Sequence, residues 1–231
     1  MPAQNISKSV IKRLPVYLRI LDQLIQRNVE LISSKDLSSE SGFTAEQIRK
    51  DLAYFGAFGT RGAGYNTAYL REKIIRIIGL DKIIDTIVIG AGNLGTALTR
   101  YNSAKNPYVN VINVFDRDPR LIGKKIDNIT INSIEDLPSF IATHRIRVAI
   151  IAVPAGSAQE VADLIIDQGI KAILNFAPVK LNVPEGVQVH NADLTIELQS
   201  LIYYSFAEEE RIKRLKQEVI AKKSPKTLSL E

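Results

Sequence analysis

An apolar run, Ile87-Val88-Ile89, leads straight into Gly90-Ala91-Gly92-Asn93-Leu94-Gly95, a G-x-G-x-x-G spacing placed where a strand meets a helix. Few local folds satisfy it. The first glycine allows a tight turn, the second lets the backbone approach a pyrophosphate, and the third lets helix and strand pack closely. The helix that follows, about Asn93 to Ala104, would turn its free N–H groups and positive dipole end toward that anion. Such a turn usually opens a dinucleotide-binding sheet. Here nearly ninety residues precede it, and they carry a different pattern.

Downstream, strands and helices alternate. Val109 to Phe115 reads as a strand ending at Asp116, 21 residues after Gly95. That is the place of the acid that binds the adenosine ribose hydroxyls. A 2′-phosphate would meet this carboxylate, which favours NAD(H) over NADP(H), although Arg117 beside it could hold such a phosphate. Ser133 to Thr143 reads as a helix, Arg147 to Val153 as a near-continuous apolar strand, and Ala158 to Gln168 as a helix closed by Gly169. Further strands are expected at Lys171 to Asn175 and at Val187 to His190. The pattern predicts an α/β fold, a Rossmann-type doubly wound parallel sheet covered on both faces, over residues 81–200. Ligands bind such sheets at the strands' carboxyl ends. Those ends are Gly90, Asp116, Val153-Pro154, Asn175-Phe176-Ala177-Pro178 and Asn191-Ala192-Asp193.

The same residues offer little for hydride chemistry. Tyr101-x-x-x-Lys105 imitates the tyrosine–lysine pair of short-chain reductases, but it lies on the first helix, six residues beyond Gly95. His190 ends a strand without a carboxylate pair and arginine beside it. No general acid is evident, so no catalytic residue is assigned. An NAD(P)-dependent oxidoreductase with an unrecognised substrate site is the alternative reading.

The chain has no cysteine and two histidines, His144 and His190. A disulfide framework and a thiolate site are excluded, and no metal is expected. No apolar run approaches the roughly 20 residues of a membrane span, and the N-terminus lacks a secretory layout. A cytoplasmic location is expected. Residues 1–80 hold 12 Lys and Arg against 7 Asp and Glu, and the rest of the chain 18 against 18. The whole net charge of +5 therefore sits in the first segment, as for a module with a polyanionic partner or one with spare surface lysines.

Within that segment, Val16, Leu18, Ile20, Leu21, Leu24 and Ile25 predict a helix from Pro15 to Gln26, with Pro15 in its first turn. Ser33 and Ser34 precede a short helix ended by Gly42. Thr44-Ala45-Glu46-Gln47 is a capping box, starting a third helix that runs to about Tyr54. Ile48, Leu52 and Phe55 share its inner face, while Arg49 and Lys50 point away. This is a helix-turn-helix pattern, or a plain three-helix bundle. In the first case the third helix would carry Arg49 and Lys50 into a major groove. The glycine-rich stretch Gly56 to Gly64 reads as a hairpin wing with Arg61 and Gly62 at its tip. A glycine-rich loop remains open as the other reading.

Beyond residue 200, Leu201, Ile202, Tyr203 and Phe206 lead into a charged helix whose apolar positions are too sparse to be buried within its own domain. Such a helix packs on a partner subunit or frays. From Lys222 to Lys226 the chain reads as disordered.

Arg49 to Tyr65, R-K-D-L-A-Y-F-G-A-F-G-T-R-G-A-G-Y, closely resembles the signature of the Rex family of redox-sensing transcriptional repressors. The resemblance runs from about residue 8 to 207 and includes Arg13-Leu-Pro-Val-Tyr-Leu-Arg19, the glycine turn, Asn175 to Val179 and Ala192 to Leu198. Ala53 and Ala192 depart from residues common in the family. The resemblance implies three parts: a winged-helix DNA-binding domain over 1–80, a Rossmann domain over 81–200, and a C-terminal helix and basic tail over 201–231. It implies a homodimer on a palindromic double-stranded operator, released when NADH binds, with the C-terminal helix exchanged between subunits. NADH and NAD+ would be held by Gly90 to Gly95, Asp116, Arg117, Val153, Pro154 and Asn175 to Pro178, with Tyr101 and Asp193 at the pocket or interface. DNA would be met by Thr44, Gln47, Arg49, Lys50 and Tyr54, by Arg61 and Gly62 of the wing, and by Arg13.

Overall fold

A computed structural model describes residues 6–56, 58–60 and 64–223, with backbone alone for Thr60 and residues 216–223. The chain divides into two compact units, Met1–Ile84 and Asp85–Glu231. The expected wing tip, Arg61 and Gly62, lies outside the described residues, as does the tail from Ser224 onward.

The first unit opens with α1, Lys8–Gln26. Ser7 caps it by accepting from the Val10 N–H. Val10, Leu14, Tyr17, Leu21 and Leu24 form its buried stripe. At the other end Asn28 takes a positive φ of 58°, and the N–H groups of Asn28 and Val29 return to the carbonyls of Ile25 and Leu24. This is the Schellman closure, with asparagine in the position usually held by glycine. The sequence placed the helix start at Pro15, but Pro15 lies inside α1. The missing N–H costs a bond to the Ile11 carbonyl, on a face where Ile11 and Pro15 are both exposed to water. Burial of Leu14, directly before it, and of Val10, more than a turn upstream, offsets the proline penalty of about 3 kcal/mol.

Next come β1 (Leu31–Ile32), α2 (Ser34–Ser41) and α3 (Ala45–Ala53). Gly42, at φ 73°, closes α2. At α3 both halves of the capping box are formed: the Gln47 N–H donates to Thr44 Oγ1 at 3.2 Å, and the Thr44 N–H donates to Gln47 Oε1 at 3.1 Å. The hairpin follows as β2 (Gly59–Thr60) and β3 (Gly64–Asn66), then α4 (Thr67–Ile77). β1 pairs antiparallel with β3, giving a three-stranded sheet in the order β1-β3-β2. Gly64 has φ +87°, and a Cβ there would lie 2.5 Å from the Ile32 carbonyl oxygen, so the wing root admits only glycine.

The second unit contains β4 (Ile84–Ile89), α5 (Asn93–Lys105), β5 (Val109–Asp116), β6 (Lys125–Ile126) and β7 (Ile129–Ser133). A single 3-10 turn (Ile134–Asp136) then leads into α6 (Leu137–Thr143), β8 (Val148–Ile151), α7 (Ala155–Asp167), β9 (Ala172–Asn175), β10 (Gln188–Asn191) and α8 (Leu194–Lys223). The seven-stranded sheet runs β10-β9-β8-β4-β5-β7-β6. The chain starts at its centre, moves out through β5 and β7, then returns to lay β8 against β4. That reversal is the topological switch point, the crevice where nucleotides bind in doubly wound sheets.

Alternate residues of the central strands serve opposite faces. Ile87, Ile89, Ala149 and Ile151 join one core with Val161 and Ile165 of α7. Val88 and Ile150 join the other with Leu98 of α5. Two buried faces explain the unbroken apolar runs. The sheet is not wholly parallel, as the sequence reading had it. β6 runs antiparallel to β7 across Asp127-Asn128, with Asp127 at φ 52°, because a two-residue connection joins only antiparallel strands. The expected helix from Ser133 is also modified: Ser133 caps the 3-10 turn, and α6 proper begins at Leu137. Lys222 and Lys223, read as disordered, continue α8.

Candidate functional site

At the glycine turn each glycine answers a different constraint. Gly90 has φ +101°, and a Cβ on it would lie 2.5 Å from the Ala152 carbonyl oxygen of the neighbouring strand end. A Cβ on Gly95 would lie 1.8 Å from the Gly90 carbonyl oxygen, so α5 can start this close to β4 only with glycine there. Gly92 is the contrary case: a Cβ would meet nothing within 4 Å. It is the N-cap of α5 and offers no side-chain bond to the first-turn N–H groups. Bare donors at a helix N-terminus, facing open space, form an anion cradle.

This cradle opens into a cavity of about 750 Å³, within the range of small-molecule sites. Gly90, Gly92, Asn93 and Leu94 form one edge, and Asp116 and Arg117 lie at the end of β5. Asp116 is fixed by its own backbone neighbours: Oδ2 accepts from the Ala91 N–H at 2.6 Å and Oδ1 from the Asp118 N–H at 2.8 Å. Each oxygen keeps a lone pair for a ribose hydroxyl. Asp118 is gripped by the Arg120 side chain and N–H, which hold its carboxyl at about 2. Asp118, Glu135 and Glu160 also line the cavity, so four carboxylates face one guanidinium, that of Arg117. Such a wall disfavours an added 2′-phosphate.

Val153 and Pro154 at the end of β8, with Phe176 and Pro178 beyond β9, supply the apolar side. The other two residues of that loop serve it from below. Asn175 is fully buried; its Nδ2 donates to the carbonyls of Ala177 and Val179 and to Asn191 Oδ1, and its Oδ1 accepts from the Ala177 N–H. Ala177 packs into the core. The loop is thereby folded so that Phe176 and Pro178 face the cavity. Ala91 and Gly95 are likewise buried behind the cradle.

Two expected residues stand elsewhere. Tyr101 lies two turns along α5 and is 64% exposed. Asp193 caps α8, its Oδ1 accepting from the N–H groups of Thr195 and Ile196. Neither lines the cavity. The sequence reading missed the wall formed by Ser157, Glu160, Val161 and Leu164. Their spacing marks one face of α7, and α7 starts at a strand's carboxyl end, so the signal was present.

On the first unit, α3 exposes Arg49 and Lys50, and Tyr54 at its C-cap is exposed as well. Arg49 Nη1 donates to Ser34 Oγ of α2 at 2.9 Å. Lys50 Nζ pairs with Glu46 one turn back at 2.7 Å, an exposed pair that holds the Glu46 carboxyl below its usual value. Thr44 and Gln47 spend their side chains on the cap. Arg13, expected at DNA, is turned inward: its guanidinium forks onto Asp51 of α3. A buried carboxylate on the facing helix requires a partner, and Arg13 supplies it.

A helix-turn-helix with a strand hairpin, followed by a sheet that presents a nucleotide cradle, defines a DNA-binding protein with a built-in nucleotide receptor. Residues 5–53 match a family model described as a putative DNA-binding protein N-terminus, and residues 81–179 one described as a CoA binding domain. CoA and NAD share the adenosine 5′-diphosphate that such a turn cradles. A redox-sensing transcriptional repressor Rex from Natranaerobius thermophilus is 58% identical over 85% of this chain and 90% of its own length. One from Caldanaerobacter subterraneus is 44% identical over 93% and 96%. The crystal structure of RSP in complex with β-NAD+ and operator DNA aligns with a TM-score of 0.83 at 44% identity, over 92% of this chain and 98% of that one. RSP in complex with β-NADH aligns at 0.81 and 42%, over 92% and 99%. This chain belongs to the Rex family of redox-sensing transcriptional repressors.

Proposed function

We propose that this chain acts in the cytoplasm as a homodimeric repressor that binds a palindromic operator and leaves it when NADH fills the cavity. The observation that carries this reading is the fixed cradle of Gly92, α5 and Asp116 on a chain that also bears an exposed Arg49–Lys50 helix. Gly90 to Gly95 hold the pyrophosphate, Asp116 the adenosine ribose, and Val153, Phe176 and Pro178 the apolar end. When bound, the dinucleotide supplies a nicotinamide whose positive charge is lost on reduction. Among the described residues lining the cavity there is no His, Lys or Tyr to protonate a carbonyl substrate, which speaks for measuring the cofactor rather than consuming it.

The dimer reading rests on α8. Every described side chain from Leu194 to Leu215 is exposed, with Leu201, Tyr203 and Phe206 between 63% and 69%. The apolar residues of α8, too sparse to be buried within one unit, suit a surface that a second copy covers. In the DNA-binding state of such a dimer, the two α3 helices meet successive major grooves about 34–36 Å apart. Switching from mostly bound to mostly released takes roughly 5 kcal/mol of differential NADH affinity for the two states. A mobility-shift titration with NADH and NAD+ in parallel tests the reading. Release at low NADH but not at equal NAD+ is expected; equal release by both, or steady NADH consumption with a carbonyl compound, would overturn it.

A further inference from the structure

α3 has a charge where its inner face should be apolar. Between Ile48, fully buried, and Leu52, 2% exposed, lies Asp51, also 2% exposed. Three short bonds converge on it. Arg13 Nε donates to Oδ2 at 2.6 Å and Arg13 Nη2 to Oδ1 at 2.7 Å, while the Tyr17 hydroxyl donates to Oδ2 at 2.7 Å. Arg13 and Tyr17 stand one turn apart on α1, so both reach the same point of α3. Phe43, just before the Thr44 cap, closes the cluster: its ring meets Tyr17 edge-on at 5.9 Å between centroids, and the Arg13 guanidinium lies 5.7 Å from it.

Neither donor gives up its proton near neutrality. The hydrogen bond to Asp51 raises the Arg13 guanidinium further above its usual value, and burial, reinforced by Asp51, pushes the Tyr17 hydroxyl up. Both donors therefore keep their protons for the bonds to Asp51. A buried ion pair returns little net stability over well-packed apolar residues, because desolvation offsets the attraction. Direction is what it adds. Apolar faces tolerate rotation and sliding of one helix on another, whereas a bidentate fork and a third bond on one carboxylate do not.

Asp51 directly follows Arg49 and Lys50 in sequence. We infer that Arg13 and Tyr17 are positioning residues for the recognition helix: by holding Asp51 they set the rotation at which Arg49 and Lys50 are presented, and so the discrimination between operator and other DNA. This rests on the reading of α3 as the DNA-facing helix.

The test uses the full chain and a duplex enriched from a random pool by the wild-type protein, with an unselected duplex of equal length as reference. The double variant Arg13→Met/Asp51→Leu removes both charges at similar volume, and Tyr17→Phe removes one bond while leaving the charges paired. At an unchanged thermal midpoint, the ratio of selected to unselected affinity is expected to fall roughly tenfold in the double variant, the worth of about one base contact, and by less in Tyr17→Phe. Affinity for the unselected duplex stays put. An unchanged ratio in a folded double variant overturns the inference. Should the double variant not fold, Tyr17→Phe decides alone, and a wild-type ratio there overturns it. A wild-type protein that enriches no sequence sinks the DNA reading itself, and the inference with it.

Discussion

In the glycine turn the proposed working groups are backbone N–H donors, uncovered because Gly92 has no side chain and α5 begins without a side-chain cap. On α3 they are the side chains of Arg49 and Lys50, carried outward by a helix that is bolted from behind through Asp51. One surface is made by deleting atoms, the other by projecting them. The first is rigid and judged by sterics. The second is a charged surface judged by its counter-ions, so its affinity follows salt. Substitutions should fail differently in the two places, and that difference is measurable.

The largest effect belongs to Gly95. With a new Cβ 1.8 Å from the Gly90 carbonyl oxygen, Gly95→Val must push α5 off β4. We expect about 3 kcal/mol of lost stability, the upper end of the overpacking range, and no NADH binding, read by thermal melting and NADH fluorescence. Gly92→Ala should cost no more than about 1 kcal/mol, since its Cβ enters open space and only a poorer N-cap results, yet bind NADH far more weakly. Wild-type NADH binding in Gly92→Ala would break the idea that this backbone approaches the ligand.

The same contrast governs what could be read from the sequence. Gly90 and Gly95 were legible because backbone sterics dictate glycine there at fixed spacing; Gly92 and Asp116 were picked out by the spacing alone. Thr44 and Gln47 were legible because both halves of their capping box lie within one turn. Arg13 was misplaced because its partner lies 38 residues away, and no local pattern says which face of α1 meets α3. Asn175 and Phe176 were read as equivalent strand-end residues; side-chain direction, set by the hydrogen bonds of Asn175, separates them. β1 is two residues long, too short for any periodicity. Pro15 misled because a local penalty outweighed, on paper, a buried stripe that continued past it.

Arg49→Ala comes next in size. A side chain that reads a base contributes about 1–3 kcal/mol, so operator affinity should fall by roughly fivefold to 150-fold with NADH binding unchanged. A loss that is uniform across sequences, with the salt slope shallower by about one, would assign Arg49 to phosphate instead. Retained operator binding would remove α3 from the interface.

Thr44→Ala is smaller and confined to the first unit. It deletes the acceptor for the Gln47 N–H, and such caps are worth about 1 kcal/mol. Thermal melting should register a drop of roughly 4–8 °C for a unit of this size, while the NADH titration stays put. A shift in NADH affinity would show that the units are less separable than their construction implies.

Glu46→Gln should be almost silent in stability and still visible in binding. Glu46 and Lys50 are both exposed, and their pair holds the Glu46 carboxyl below its usual value. A depressed carboxyl contributes above its unfolded pKa, and the contribution is lost as pH falls through the lower folded value. At neutral pH the pair is therefore intact, though screened by water. The melting curve of the variant should overlay the wild type. Near DNA the balance differs: glutamine removes a negative charge from the helix proposed to meet phosphates and frees the Lys50 ammonium. Affinity for operator and random duplex should rise together by a few-fold. If Lys50 then takes a phosphate, the slope of log affinity against log salt should steepen by about 0.9. Unchanged or weaker binding would mean that Lys50 does not meet DNA, and that the charged surface on α3 is narrower than its exposure suggests.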